Sequence, residues 1–365
     1  MRREIAKIPV GDYFAEGFLD DDGRNRDKTL PIKVCVRIKG DDVEVDLTGS
    51  SDQVPTAFNV PYDGSTMVAA FFVFRAMLLD TYTLEEYVPQ NEGSFRPIKV
   101  TAPKGSIFNP IAPAAAEARF CQIQRMADLV IKALSPVIPE KSTAGNAATL
   151  SFAAYSGVRP SGDYWVFLEV NEAATGGRPN SDGVDTVEEL MRNTRNNPLE
   201  DLGMHLPLIC DRYEIRDDAP PGAGKYRGGA GVVKSQRYLT PGFMTHESDR
   251  HLDAPWGAFG GKPGAVGKME IYNIKDPSNV RQEYSKFSGL RTEEGDVVSY
   301  ISPSGGGFGS PLERDTDKVL DDVLDDIISV EEARKDYGVV MTEVDDGYGW
   351  QVDEAATEKL RASMS

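Results

Sequence analysis

Gly222-Ala-Gly-Lys-Tyr-Arg-Gly-Gly229, Gly257-Ala-Phe-Gly-Gly-Lys-Pro-Gly264 and Gly305-Gly-Gly-Phe-Gly309 are three dense glycine clusters in the second half of a 365-residue chain. Glycine weakens helices and strands, so such clusters imply turns of positive φ or backbone that must approach something closely. From Pro207 onward the pattern is of short strands separated by glycine turns, which predicts a β-rich second half. The first cluster carries Lys225 and Arg227 beside its glycines. It does not make a phosphate-binding P-loop: Tyr226 follows Gly224-Lys225 where Ser or Thr is needed, and Gly231 to Leu239 reads as a strand instead of a helix. Two readings stay open. The cluster is a tight bend packing one strand on another, or it is an anion-binding nest of main-chain N–H groups.

Upstream, residues 31–47 predict a hairpin. Val34, Val36 and Ile38 alternate with polar neighbours, as do Val43, Val45 and Leu47 across a Lys-Gly-Asp-Asp turn. A polar loop, Thr48 to Gly64, holds Asp52, Gln53 and Asn59. Next comes an almost wholly apolar helix over about 65–80, expected to be buried on all sides. Asn91 to Pro113 reads as an extended crossing segment. A second helix over about 114–134 has Phe120, Ile123, Ala127, Val130 and Leu134 as its inward stripe, ended by Pro136 and Pro139. Thr149–Tyr155 and Asp163–Val170 read as strands. The tail from Glu313 to Tyr337 reads as helical and acidic, with Ser329 and Glu332 forming a capping box. The expected class is α+β: a mixed α/β first half with buried helices (1–175), a β-rich glycine-turn second half (176–312), and a helical acidic tail with a short hairpin (313–365).

Net charge is −18, from 58 acidic and 40 basic residues. That balance repels phosphate backbones and anionic lipid surfaces, so neither nucleic acid nor membrane is an expected partner, though a local basic pocket could still take an anionic substrate. The start lacks the apolar core of a signal peptide, and Cys35, Cys121 and Cys210 make neither a disulfide framework nor a metal pattern. A reducing cytoplasm is the expected location.

His246-Glu-Ser-Asp-Arg-His251-Leu-Asp253 holds two of the three histidines. In extended backbone Glu247, Asp249, His251 and Asp253 would share one face, a donor set suited to zinc, manganese or iron. The spacing matches no specific metal motif, and a solvated charged loop is the expectation. His205 is read as structural, and Cys35 and Cys210 as packed, unreactive thiols. The amides of Asn193-Thr-Arg-Asn-Asn-Pro-Leu-Glu200 could orient a substrate or partner, or simply cap a helix. The Gly49–Asn59 loop invites the same two readings.

In order along the chain, Val45-Asp-Leu-Thr-Gly-Ser-Ser-Asp-Gln53, Asn59-Val-Pro61, Asn91-Glu-Gly-Ser-Phe-Arg-Pro97, Pro103-Lys-Gly105, Asn109-Pro110, Asn197-Pro-Leu-Glu200, the first glycine cluster, Pro255-Trp-Gly257, Gly260-Gly-Lys-Pro-Gly264, Gly305-Gly-Gly-Phe-Gly309 and Tyr337-Gly-Val339 resemble the hydantoinase B/oxoprolinase family. That family includes the large subunits of acetone and acetophenone carboxylases. The run from Arg192 to Asn197, with Pro255-Trp-Gly257, looks more like the aryl-ketone carboxylase branch. Family members usually begin with a long portion whose histidines and carboxylates look like the metal and catalytic ligands. Those have no counterpart here, so the chain is expected to be the C-terminal piece of a split subunit, with no metal ligand of its own.

The resemblance implies a cytoplasmic complex with a hydantoinase A-like ATP-binding subunit and a chain supplying the missing N-terminal half. ATP and a divalent metal would both be bound mainly on those partner chains. It implies carboxylation of a ketone, an aromatic one in the closer resemblance, through an activated enol phosphate. The alternatives are ATP-dependent opening of a cyclic amide by water and a non-catalytic structural role. In the catalytic readings Lys225 and Arg227 would stabilise anionic intermediates, while Asp52, Gln53, Asn59, Gly224 and Gly228 would contact substrate.

Overall fold

The computed structural model describes residues 1–80, 84, 87–188, 190–344 and 349–364. In chain order its strands are β1 (Gly11–Leu19), β2 (Leu30–Lys39), β3 (Asp42–Asp46), β4 (Ile98–Thr101), β5 (Ser151–Val158), β6 (Tyr164–Asn171), β7 (Leu208–Ile215), β8 (Val232–Tyr238), β9 (Gly242–Glu247), β10 (Lys268–Asn273), β11 (Asp276–Glu283), β12 (Lys286–Thr292), β13 (Asp296–Ile301), β14 (Met341–Glu343) and β15 (Trp350–Val352). Its helices are α1 (Arg2–Ile5), α2 (Met67–Leu78), α3 (Glu92–Phe95), α4 (Phe120–Leu134), α5 (Leu199–His205), α6 (Thr316–Leu324), α7 (Val330–Tyr337) and α8 (Glu354–Met364).

The predicted hairpin forms as β2 and β3, with Lys39 opposite Asp42 at its turn. Its alternation buries Val34, Val36, Ile38, Val43 and Val45 in the main core. β1 adds antiparallel to one side and β4 parallel to the other. The segment expected to be a plain crossing thus supplies a strand and the short α3. α4 lies on β1 and β2, and α2 lies on α4. The two helices exchange the burial expected of them. Val68 and Ala76 of α2 face solvent, whereas α4 buries its polar side chains Gln122, Gln124, Arg125 and Asp128 as well as its apolar ones. A buried polar helix face requires partners, and these come from distant segments.

Two antiparallel sheets follow, ordered β12-β9-β5-β6 and β11-β10-β13-β8-β7. Tyr155, Trp165, Phe167, Met244 and Phe287 from the first sheet share one core with Tyr238, Met269, Ile271 and Tyr300 from the second. Tyr155 stands 5.9 Å from the Phe167 ring and 6.1 Å from that of Tyr238. Alternate residues of each strand therefore point inward, as in a sandwich. β5 and β6 belong to this sandwich, so its first sheet crosses the 175/176 division expected from sequence. The Ser329–Glu332 capping box forms at α7. Val319, Val323, Ile328, Ala333 and Tyr337 of the tail pack together with Ala223 of the first glycine cluster, so the tail sits on that cluster.

The three clusters interlock outside any helix or strand. Gly222 N–H donates to the Gly305 carbonyl at 3.0 Å, Gly305 N–H to Gly229 at 2.9 Å, Gly307 N–H to Lys262 at 2.9 Å, and Tyr226 N–H to Phe308 at 3.0 Å. A Cβ on Gly228 would stand 1.9 Å from the Gly305 carbonyl oxygen, and one on Gly261 would stand 2.1 Å from that of Gly307. The absence of side chains serves backbone-to-backbone packing here.

Candidate functional site

The sequence-predicted residues divide by what they touch. In the first cluster the N–H groups of Gly222, Lys225, Tyr226, Gly228 and Gly229 donate to carbonyls of the chain, and those of Arg227 and Ala230 to the carboxylates of Asp182 and Asp185. These donors are already satisfied, which favours the packing bend over the anion nest. Gly224 serves the same packing, because a Cβ there would lie 2.6 Å from Phe308 N. Arg227 is buried and binds Asp185 and Asp322 at 2.7 and 2.8 Å. Burial alone would lower its pKa, but the two carboxylates outweigh burial and raise it. Arg314 completes the network by pairing with Asp182 and Asp322. Lys225 is half-exposed and lies 3.2 Å from Glu313.

Asn59 is fully buried. Its amide oxygen accepts from Val54 N–H at 2.8 Å, and its amide nitrogen donates to the carbonyls of Val54, Thr56 and Ala115. Gln53 accepts from Ile111 N–H at 2.7 Å, and Asp52 bridges to Ser106. These three residues pin the polar loop to its neighbours. His205 ends α5 in solvent with its Nε2 3.4 Å from Asp201. Cys35 is buried and Cys210 partly so. The Asn196 amide donates to the Tyr213 hydroxyl.

The 246–253 segment overturns the expectation of a solvated loop: His246, Ser248, Asp249 and Arg250 are all buried. The reason is three cations and a helix the local sequence could not reveal. Asp249 is wholly buried and meets Lys286 Nζ, at the start of β12, at 2.7 Å. Asp253 pairs with Arg250 and with Arg125 of α4. Asp128 of α4 accepts from Arg250 at 2.8 Å, from Trp256 Nε1 at 2.9 Å and from Asn146 N–H at 3.0 Å. Arg250 holds φ at +69°, a left-handed conformation unusual for a side-chain-bearing residue and maintained by these contacts. Among the described residues no group of three or more His, Cys, Asp and Glu is arranged to hold a metal ion. Glu247, Asp249, His251 and Asp253 do not converge, and two of the carboxylates already face cations, so the residues do not fit a metal.

The Asp20-Asp-Asp22 run after β1, which sequence reasoning passed over, completes this site. Asp20 accepts from the backbone N–H groups of His251 and Leu252 at 2.9 and 3.2 Å. Asp22 accepts from Arg24 and Asn25 N–H, folding the loop back on itself. The usable signal was the short Asp-Gly turn directly after an amphipathic strand. A cavity of about 570 Å³ opens at this junction, lined by Asp20, Arg26, His251, Lys268, Tyr284 and Ser285 among others.

Burial first, and Asp20 second, push the Asp249 carboxyl up to about 7. Burial alone would lower Lys286, but Asp249 and Asp20 outweigh it and keep the ammonium protonated. Burial pushes His251 down to about 4 against the pull of Asp20. His246, flanked by the tilted rings of Phe287 and Tyr300, is driven well below the usual imidazole range by burial. Lys286 Nζ lies 3.4 Å from Ser285 Oγ, so Ser285 links the cavity wall to the buried Lys286–Asp249 pair. Among the lining residues Arg26 and Lys268 carry N–H donors for substrate oxygens, and Asp27 and Glu283 carry carboxylate acceptors.

The neutral histidines, His246 buried and His251 half-buried at the cavity wall, predict an acid response. An unfolded imidazole takes up its proton near pH 6.5, while folded His251 resists until about 4. The stability they hold is therefore complete above about 6.5 and lost as pH falls toward 4. Asp249, raised in the fold, acts in the opposite sense over the same window. Replacing His251→Gln should leave a shallower fall in Tm between pH 6.5 and 4 than in the parent; equal slopes would contradict the assignment.

The hydantoinase B/oxoprolinase family model matches residues 1–311. A protein of Pseudomonas sp. (strain NS671), named as the B component of a D-/L-hydantoinase, is 41% identical over 99% of this chain and 60% of its own length. The beta component of the Pseudomonas jessenii caprolactamase is 28% identical over the whole chain and 61% of its own. Among solved structures, nucleotide-free acetone carboxylase matches with a TM-score of 0.84 at 20% identity, over 99% of this chain and 53% of its own, a likeness of fold. The ATP-dependent caprolactamase of P. jessenii matches with a TM-score of 0.78 at 25% identity, over 99% of this chain and 61% of its own. The chain thus spans about three-fifths of the length of these relatives. With the family model matching most of its residues, the chain belongs to the hydantoinase B/oxoprolinase family.

Proposed function

We propose that this chain is one component of an ATP-dependent assembly that opens a cyclic amide or imide with water. The observation that carries the reading is the 41% identity, over 99% of the chain, to a protein named as a hydantoinase component. In this reading a hydantoinase A-like partner in the cytoplasm supplies the ATP site, and a divalent metal is held by partner chains. The cavity beside Asp20, His251 and Ser285 receives the polar ring. Its carboxylates accept from the ring N–H groups, while Arg26 and Lys268 hold the carbonyl oxygens. The ketone carboxylase that the family resemblance implies is the second reading. The acetone carboxylase fold match favours it, at lower identity than the hydantoinase relative.

The test is ATP turnover by the assembled complex with hydantoins or lactams, compared with ketones plus bicarbonate. Turnover stimulated by a cyclic amide without bicarbonate is expected. Stimulation only by a ketone, and only with bicarbonate, would replace this reading with the second.

Lys225 and Arg227 stay proposed as anion-stabilising groups, and Lys225 can be tested alone. Its ion pair is exposed, so Lys225→Ala should change stability by less than about 1 kcal/mol. A loss of turnover in that stable variant would assign it to the chemistry; parental turnover would remove it.

A further inference from the structure

β6 is apolar on both faces. Trp165 and Phe167 point into the sandwich core, while Tyr164, Val166 and Leu168 are more than half exposed on the opposite face. Continuous apolar strands of this kind are characteristic of sheets covered on both sides. The register extends the outer patch across the sheet: Tyr164 lies opposite Val158, Val166 opposite Ser156 and Leu168 opposite Ala154. Ser156 in turn lies opposite Phe243 of β9. Val158 and Phe243 are also more than half exposed. At its other end the same face is already covered, since Phe152 and Val170 pack against the main core. The exposed patch is therefore the continuation of an internal contact surface. Among the described residues β6 is also the edge of its sheet, pairing with β5 alone, so its free side can accept a further strand.

We propose that this face and edge receive the part of the family fold that this chain does not span. About two-fifths of the relatives' length lies outside the match, which is long enough to do so. The occupant presents apolar side chains to Val166, Leu168 and Phe243. A contiguous exposed apolar patch is the kind of surface that marks a protein interface.

The probe is the portion of the 41%-identical Pseudomonas relative lying outside the match, produced as a separate chain and mixed with this one. A one-to-one complex in sedimentation is expected. It should weaken at least tenfold in the double variant Val166→Glu, Leu168→Glu. It should hold its parental affinity in Val280→Glu, an exposed apolar position on β11 in the other sheet. Thermal unfolding of each variant at the parental temperature establishes that the fold is intact. Failure to form a complex, or a complex indifferent to the Val166 and Leu168 changes, overturns the proposal. So does a dimer of this chain alone that the double substitution dissociates, which would give the face to a second copy.

Discussion

Alanine at Gly228 is expected to keep the chain from reaching its folded state. The added Cβ would stand 1.9 Å from the Gly305 carbonyl oxygen and 2.3 Å from the carbonyl carbon. Neither atom can yield as a side chain would, because Gly305 is held on both sides, donating to Gly229 and accepting from Gly222. Overpacking a core where side chains can shift costs about 1–3 kcal/mol. With backbone on both sides the cost should exceed about 3 kcal/mol, a large part of the stability of an ordinary domain. Gly203→Ala on α5 is the control. Nothing lies within 4 Å of its added Cβ, and it should stabilise by about 0.4–1 kcal/mol. Thermal unfolding of both variants decides the matter; a Gly228→Ala protein that melts within a few degrees of the parent would remove the glycine packing from the account.

Lys286→Met should be the most damaging change at the candidate site. Methionine keeps the length and apolar stem of lysine, so what disappears is the ammonium 2.7 Å from Asp249 and its approach, at 5.6 Å, to the Phe58 ring. Removing one partner of a buried ion pair leaves the other charge without compensation, at about 3–5 kcal/mol. Asp249→Asn combined with Lys286→Met removes both charges and keeps an oxygen for Arg250 N–H, which now donates to Asp249 at 2.9 Å. The double variant should recover most of the loss, because a neutral pair of similar shape is often tolerated. Chemical denaturation of the cycle reads the coupling, and a double variant as unstable as the sum of the singles would show that the pair is not an isolated electrostatic unit. If the cavity takes substrate through Ser285, the double variant should also lose turnover while keeping its fold.

What the sequence disclosed was whatever depended on near neighbours. Alternation placed the β2–β3 hairpin and the β5–β6 pair within a few residues, and Ser329 with Glu332 marked the start of α7. What it concealed depended on partners far along the chain. Asp128 meets Arg250, Arg125 meets Asp253 and Lys286 meets Asp249. In each case a charged residue on a helix, loop or strand end reads locally as solvated. The acidic run at Asp20 was passed over for the same reason, since its acceptors are filled by the backbone of His251 and Leu252. The glycine clusters were visible as an anomaly, but spacing alone could not say whether the backbone approached an anion or other backbone. The filled N–H groups of Gly222, Gly228 and Gly229 separate those readings.

The interlocked glycine segments also carry a consequence for the order of assembly. They join Gly145 to Gly306, Thr175 to Gly229 and Gly222 to Gly305, contacts that close long loops and gain no apolar burial from side chains of their own. The entropy of loop closure must be met before such contacts form. Hairpins such as β2–β3 and β5–β6 can zip from local sequence, but the glycine segments can register only once both sheets of the sandwich are in place. Amide protection at Gly228, Gly229 and Gly305 should therefore be among the last acquired during refolding, with the tail helices that sit on Ala223 consolidating at the same stage.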